Sequence, residues 1–303
     1  MVRHFLDFSS ISADDLRHIV DKAVMLKAER KNGKFSAQLA NKKLAMIFEK
    51  NSTRTRISFE VAMLELGGNA IYLSGSELQL GRGETVSDTA KVISRYVDAI
   101  MLRCHSHDKL LELAENSTIP VINGLTEFSH PCQIIADIIT FEENLGNINS
   151  KKIAWVGDGN NVAQSWIQAA VSFGYSLTLA CPEEFAPIPE VVNLAKKQGA
   201  DIKVVTSPEE AVAGADAVIT DTWVSMGDED SERRVNILSS YQVNTELMKQ
   251  AKNEAIFLHC LPAHRGEEVT DEVIDSLESK VFDEAENRLH AQKSIILWCF
   301  GLI

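Results

Sequence analysis

Leu44-Ala45-Met46-Ile47-Phe48-Glu49-Lys50-Asn51-Ser52-Thr53-Arg54-Thr55-Arg56 is the stretch on which the reading of the fold turns. Its apolar half, residues 44–48, has the length of one buried strand. A helical pattern follows. Ile57, Val61 and Leu64 recur at i, i+4 and i+7, with Phe59, Met63 and Leu66 beside them, until Gly67-Gly68 ends the run. Ser52 to Arg56 therefore sits where a strand hands over to a helix, and Asn51, Ser52 and Thr53 are all competent N-caps. A helix N-terminus presents open backbone N–H groups and a partial positive charge, which suit a phosphate. Hydroxyl donors and guanidinium forks strengthen that setting. One hydroxyl and one arginine would fit a capped helix with a solvated side chain. Three hydroxyls and two arginines within five residues of an otherwise acidic chain predict an anion site.

The 303 residues carry a formal net charge of -13, which argues against a nucleic-acid surface. Any anionic substrate must then be held by local positive groups, because the overall field repels it. Hydrophobic residues make up 45%, enough for a sizeable core. The cysteines at 104, 132, 181, 260 and 299 are odd in number and scattered, with no CxxC. They fit neither a disulfide framework nor a zinc cluster and read as reduced thiols. Met1-Val2-Arg3-His4-Phe5 shows no apolar signal region, and no apolar stretch is long enough to span a bilayer. The expectation is a soluble, cytoplasmic protein without membrane or nucleic-acid partners.

Working outward, residues 12–30 read as a helix capped by Ser12. Strands are predicted at 43–48, 70–73, 98–103 and 119–122, with a helix at 85–97 and another opening at Pro131. Residues 74–87 form a polar, glycine-rich loop of a length usually kept for function. Asn144 to Lys151 breaks the periodicity and marks a boundary. Beyond it, strands are predicted at 152–157, 176–181, 202–205, 216–220 and 255–259. The last helix, 285–299, reads as amphipathic, Leu289, Ile296 and Leu297 against Glu286, Arg288 and Lys293. The pattern predicts an α/β protein of two doubly wound parallel-sheet domains, 1–145 and 146–284, with a cleft between them. Strand C-terminal ends, and ligands, belong at such a cleft.

Several strand ends carry polar chemistry. Arg103 closes one strand. His130-Pro131-Cys132-Gln133 opens a helix, with His130 and Gln133 on the same side. Gly157-Asp158-Gly159-Asn160-Asn161 resembles a dinucleotide fingerprint, but Val162 fills the third glycine position and Cys181-Pro182 stands where an acidic residue belongs. A nicotinamide cofactor is disfavoured, and the two amides suit an α-amino acid instead. Asp221 follows the strand Ala217-Val218-Ile219-Thr220 and can hold a cation. Ser225 and the backbone at Met226 can bind the ends of a small ligand. His259-Cys260-Leu261-Pro262 follows another strand, where alternation sets His259 and Cys260 on opposite faces. His105 and His107 lack a third ligand and read as surface residues, so no metal is predicted.

Together these segments resemble the ornithine carbamoyltransferases. The resemblance rests on Ser52-Thr53-Arg54-Thr55-Arg56, Gln79-Leu80-Gly81-Arg82-Gly83-Glu84-Thr85, Arg103, His130-Pro131-Cys132-Gln133, Asp158-Gly159-Asn160-Asn161, Asp221 with Ser225-Met226-Gly227, His259-Cys260-Leu261-Pro262, and Arg288. They occur in the family's order and span almost the whole chain. The first is shared with the aspartate carbamoyltransferases; the Ser-Met-Gly and His-Cys-Leu-Pro segments are of the ornithine type. The resemblance implies a first domain for carbamoyl phosphate and a second for L-ornithine, with the final helix, 285–303, packing back on the first domain and bringing Arg288. It implies that Ser52, Thr53, Arg54, Thr55, Arg56, Gln79, Arg103, His130, Gln133, Cys260, Leu261 and Arg288 bind carbamoyl phosphate. Asn161, Asp221, Ser225 and Met226 would bind ornithine. Arg56, Arg103, His130, Asp221 and Cys260 would act in catalysis, with no cofactor and no metal. It also implies a trimer or a multiple of one, Gln79 reaching a neighbouring subunit's site, and a place in arginine metabolism.

Overall fold

The computed structural model describes residues 2–75, 83–224 and 230–303. The chain divides into two compact units: Met1–Ile139 with Glu286–Ile303, and Thr140–Ala285. Gln79, Ser225 and Met226, three of the expected ligand contacts, lie outside the described residues.

The first unit runs α1 (Ala13–Lys31), β1 (Lys43–Phe48), α2 (Thr53–Glu65), β2 (Asn69–Ser74), α3 (Val86–Ile93), β3 (Ala99–Arg103), α4 (His107–Asn116) and β4 (Val121–Leu125). Helix α5 (Pro131–Leu145) starts in this unit and runs on into the next. The four strands are parallel, in the order β2-β1-β3-β4. A parallel sheet is covered on both faces, so its inner strands are apolar without alternation. Leu44 to Phe48 and Ala99 to Leu102 are buried throughout. Each helix start is set by a local side chain. Ser12 caps α1, Ser52 caps α2, Thr85 caps α3 and Ser106 caps α4, each accepting a backbone N–H from the first turn. Strand β4 begins two residues later than the sequence suggests and runs to Leu125. Pro120 has no N–H to give the ladder, and Phe5 pairs alongside, donating to Val121 O and accepting from Asn123 N.

The second unit runs β5 (Lys152–Val156), α6 (Asn161–Phe173), β6 (Ser176–Ala180), α7 (Pro189–Lys197), β7 (Ile202–Val205), α8 (Pro208–Val212), β8 (Ala217–Thr220), α9 (Ser231–Leu238), α10 (Thr245–Met248), β9 (Ile256–His259) and α11 (Asp271–Ile274). Its five strands are also parallel, in the order β7-β6-β5-β8-β9. Trp155, Trp166, Trp223 and Tyr175 are its largest buried side chains. The Tyr175 hydroxyl donates to Trp166 O at 2.6 Å, so this aromatic packs without an unpaired polar tip.

Both sheets reverse their winding at a first strand: between β1 and β3 in one, between β5 and β8 in the other. In open α/β sheets ligands lie outside the carboxyl ends of the strands at such a switch point. Ser52–Arg56 follows β1 and Arg103 closes β3; Gly157–Asn161 and Asp221 follow β5 and β8.

Helix α12 (Val281–Cys299) differs from the sequence expectation. It starts four residues earlier, and apart from the exposed Glu286 its polar side is not a solvent face. Arg288 and Lys293 are buried, and His290 and Gln292 have no exposed surface. Within the first unit Ser294 donates to Ile19 O, Trp298 to Asp15, Lys27 to Asn287, and Lys293 pairs with Glu65 at 2.9 Å. The charges are satisfied by residues far away in sequence, which a local periodicity cannot reveal. Among the described residues no helix is long and apolar enough to cross a membrane.

Candidate active site

In the first unit the polar groups converge on Thr55. It lies in the first turn of α2 and is 1% exposed. Its Oγ1 accepts from Arg103 Nη1 at 3.3 Å and from Arg288 Nη2 at 3.2 Å. The register that pairs Phe48 with Arg103 brings the end of β3 level with the end of β1, from which the chain turns into α2. A register shift against β4 at Leu102/Arg103 locally bends the strand at that point. Arg288 also donates to Gln133 Oε1, and Gln133 Nε2 donates to Asp137 Oδ1 at 2.8 Å, one turn along α5. A chain of hydrogen bonds thus runs Asp137, Gln133, Arg288, Thr55, Arg103.

His130 is buried beside this chain. Burial, then the nearby Arg288 and Arg103 guanidiniums, hold its imidazole well below the usual histidine range. At neutral pH it is an uncharged ring with one N–H to donate. Two guanidiniums, a neutral imidazole and a helix N-terminus together suit an anionic ligand.

The rest of the first signature is placed differently. Ser52 is the cap, its Oγ accepting from Thr55 N. Thr53 is exposed and Arg54 half-buried. Arg56 does not join the Thr55 group. Its Nε donates to Glu60 at 3.1 Å, and its guanidinium lies over the Tyr72 ring at 4.1 Å. His107 also departs from expectation: it opens α4, packs on Phe128 and shares a hydrogen bond with Thr126, so it is no simple surface residue.

In the second unit the groups converge on Asp221, which is 8% exposed. Cys260 Sγ donates to its Oδ1 at 3.0 Å, and Asn160 Nδ2 donates to its Oδ2 at 2.8 Å. Alternation does not separate His259 from Cys260, because β9 ends at His259. Atoms of Asp221, His259 and Cys260 come within 4.8 Å of one another. The His259 ring is nevertheless engaged on both sides. Nδ1 accepts from Leu261 N at 2.9 Å, which puts the proton on Nε2, facing Glu268 at 3.1 Å. Leu261, half-buried, turns the chain with a left-handed φ of 56°. Asn161, also half-buried, is the first residue of α6.

The glycines of the turn after β5 serve packing. Gly157 has a φ of 124°, and a Cβ on Gly159 would stand 2.4 Å from Pro187 N. This accounts for the fingerprint-like spacing without a dinucleotide. Sequence reasoning missed Arg234 of α9, which pairs with Asp158, donates to Trp223 O at 2.6 Å and lies over the Phe185 ring. It ties the turn after β5 to the segment after β8. It also missed Asp137, which does not stand out by type or spacing, and it read Asn160 as a ligand amide where the structure shows a helix cap bound to Asp221.

The model of the aspartate/ornithine carbamoyltransferase carbamoyl-P binding domain matches residues 3–143, and that of the Asp/Orn binding domain matches residues 149–299. The chain belongs to the aspartate/ornithine carbamoyltransferase family. Among members of that family, the ornithine carbamoyltransferase of Nitrobacter winogradskyi is 59% identical over 300 residues, covering 99% of this chain and 97% of that one. The solved structure of ornithine carbamoyltransferase from Pyrococcus furiosus is 49% identical, with a TM-score of 0.95 over 99% of this chain and 98% of that one. The anabolic ornithine carbamoyltransferase from Campylobacter jejuni is 41% identical, with a TM-score of 0.93 over 99% and 100%. As a carbamoyltransferase-family chain, it carries the family's first signature at a sheet switch point.

Proposed function

We propose that this chain is an ornithine carbamoyltransferase. It transfers the carbamoyl group of carbamoyl phosphate to the side-chain amine of L-ornithine, giving L-citrulline and phosphate. The observation that carries the reading is the convergence of Arg103 and Arg288 on Thr55 at the N-terminus of α2.

The substrate is already an activated acyl phosphate, so catalysis reduces to holding two reactants and stabilising charge. Ser52, Thr53, Arg54 and Thr55 bind the phosphate, with Gln79. Arg103, Arg288 and neutral His130 face the carbonyl, where an oxyanion develops. Arg56 joins them by leaving Glu60 and Tyr72. Gln133 holds the carbamoyl nitrogen through Oε1, and Cys260 and Leu261 add contacts that family likeness supports. Losing one oxyanion donor costs ~3–4 kcal/mol of barrier.

By analogy with lysine, roughly one ornithine side-chain amine in a few thousand is neutral at pH 7. Asp221 and Cys260 orient that amine; Asn161, Ser225 and the Met226 backbone hold the α-amino and carboxylate groups. The protein works as a trimer or a multiple of one, in the cytoplasm, in arginine metabolism.

The test is a colorimetric citrulline assay with carbamoyl phosphate and a panel of amines: ornithine, aspartate, putrescine and N-acetylornithine. Turnover with ornithine and not with the others supports the reading. Preference for another amine, or no ureido product at all, overturns it.

A further inference from the structure

The Asn160 amide has its two ends assigned by geometry. Its Oδ1 accepts from Val162 N at 2.9 Å and Ala163 N at 3.2 Å, capping α6. Only an oxygen can accept from two backbone N–H groups, so the amide cannot be flipped. Nδ2 is thereby aimed at Asp221 Oδ2, 2.8 Å away. The other Asp221 oxygen takes the Cys260 thiol. The carboxylate is gripped on one side by a side chain locked to a helix and on the other by the residue that follows β9.

A cap alone does not explain asparagine here. Serine, threonine or aspartate would cap α6 as well. Aspartate would set a second negative charge against Asp221, and serine would offer nothing in that direction. Asparagine alone accepts toward the helix and donates toward the carboxylate. It holds Asp221 in place while leaving its charge intact. We infer that Asn160 is a positioning residue that fixes Asp221, and through it the attacking amine, rather than a group that binds substrate. This inference deepens the proposed function and rests on it for the amine; the placement of Asp221 stands on geometry alone.

Asn160→Ser keeps the cap acceptor and removes the amide that reaches Asp221, so the variant should fold with an unchanged melting temperature. Two readouts apply. Steady-state kinetics should show the ornithine KM raised about tenfold or more, the order of one lost hydrogen bond to a charged group, with the carbamoyl phosphate KM unmoved. Cys260 is the one cysteine of five that is not buried, so iodoacetamide reports on it. In Asn160→Ser its alkylation should run several-fold faster, because a loosened Asp221 no longer holds the thiol proton. Wild-type alkylation and wild-type ornithine kinetics in Asn160→Ser overturn the inference and leave Asn160 a cap. If the wild type itself makes no citrulline, the functional reading fails, and the alkylation rates still decide whether Asn160 places Asp221.

Discussion

Arg288 meets Thr55 across 233 positions of sequence, its Nη2 3.2 Å from the threonine Oγ1. The contact exists because the end of α12 belongs to the same unit as α1 and α2. Lys27–Asn287 and Glu65–Lys293 bracket Arg288 on either side along the helix.

Arg288→Ala should weaken carbamoyl phosphate binding by about 2–3 kcal/mol, the value of charge-assisted hydrogen bonds in a buried setting. Arg288→Lys should recover only part, because a point charge cannot serve Thr55 and Gln133 together. Calorimetric titration of both variants checks this; equal affinity in Arg288→Ala and the wild type would refute it.

Asp137→Ala removes the acceptor of a buried amide. Gln133 Nε2 then loses its 2.8 Å partner, which should cost about 1–3 kcal/mol of stability and lower carbamoyl phosphate affinity as Gln133 loses its orientation. Urea unfolding and calorimetry separate the two effects, and a variant with unchanged midpoint and affinity would contradict the hydrogen-bond chain.

Stability should fall as pH drops from 7.5 to 5. His290 is pushed down to about 3 by burial, then by Lys293, Lys27 and Arg30. Burial lowers His4, His107 and His130 as well. The unfolded chain binds those protons near pH 6.5 and the folded one does not, so stability is complete above that pH and is lost below it. Each such group contributes at most about 1.4 kcal/mol per pH unit. Glu65 enters only lower: burial raises it, but hydrogen bonds from Lys293 and Arg30 outweigh that and hold it below the usual range. His290→Leu should flatten the slope of the urea midpoint between pH 7.5 and 5; an unchanged slope would remove His290 from the account.

Asp221→Ala should harm the use of ornithine and spare carbamoyl phosphate. The kinetic signature is a raised ornithine KM with lowered kcat, beside an unchanged calorimetric affinity of the free protein for carbamoyl phosphate. Comparable loss on both substrates would count against the assignment.

The alternation of β and α, the parallel sheets and the residues at their carboxyl ends were legible because each depends on local chemistry. A buried run such as Leu44–Phe48, a cap such as Ser52 and a strand-end Arg103 are all written in adjacent residues. Two kinds of feature were not. Arg288 and Lys293 look like a solvated helix face, and only partners such as Thr55, Gln133 and Glu65 show otherwise. The Asn160 amide looks like a second ligand for an amino acid until its oxygen is seen capping α6. In both cases the deciding contact is non-local, and residue type alone leaves its direction open.

Titrating carbamoyl phosphate into the folded protein by calorimetry tests the central claim most directly. Saturable heat in the wild type, with the affinity weakened by about 2–3 kcal/mol in Arg288→Ala, is the predicted result. An absence of heat from wild-type protein that is demonstrably folded would contradict the account.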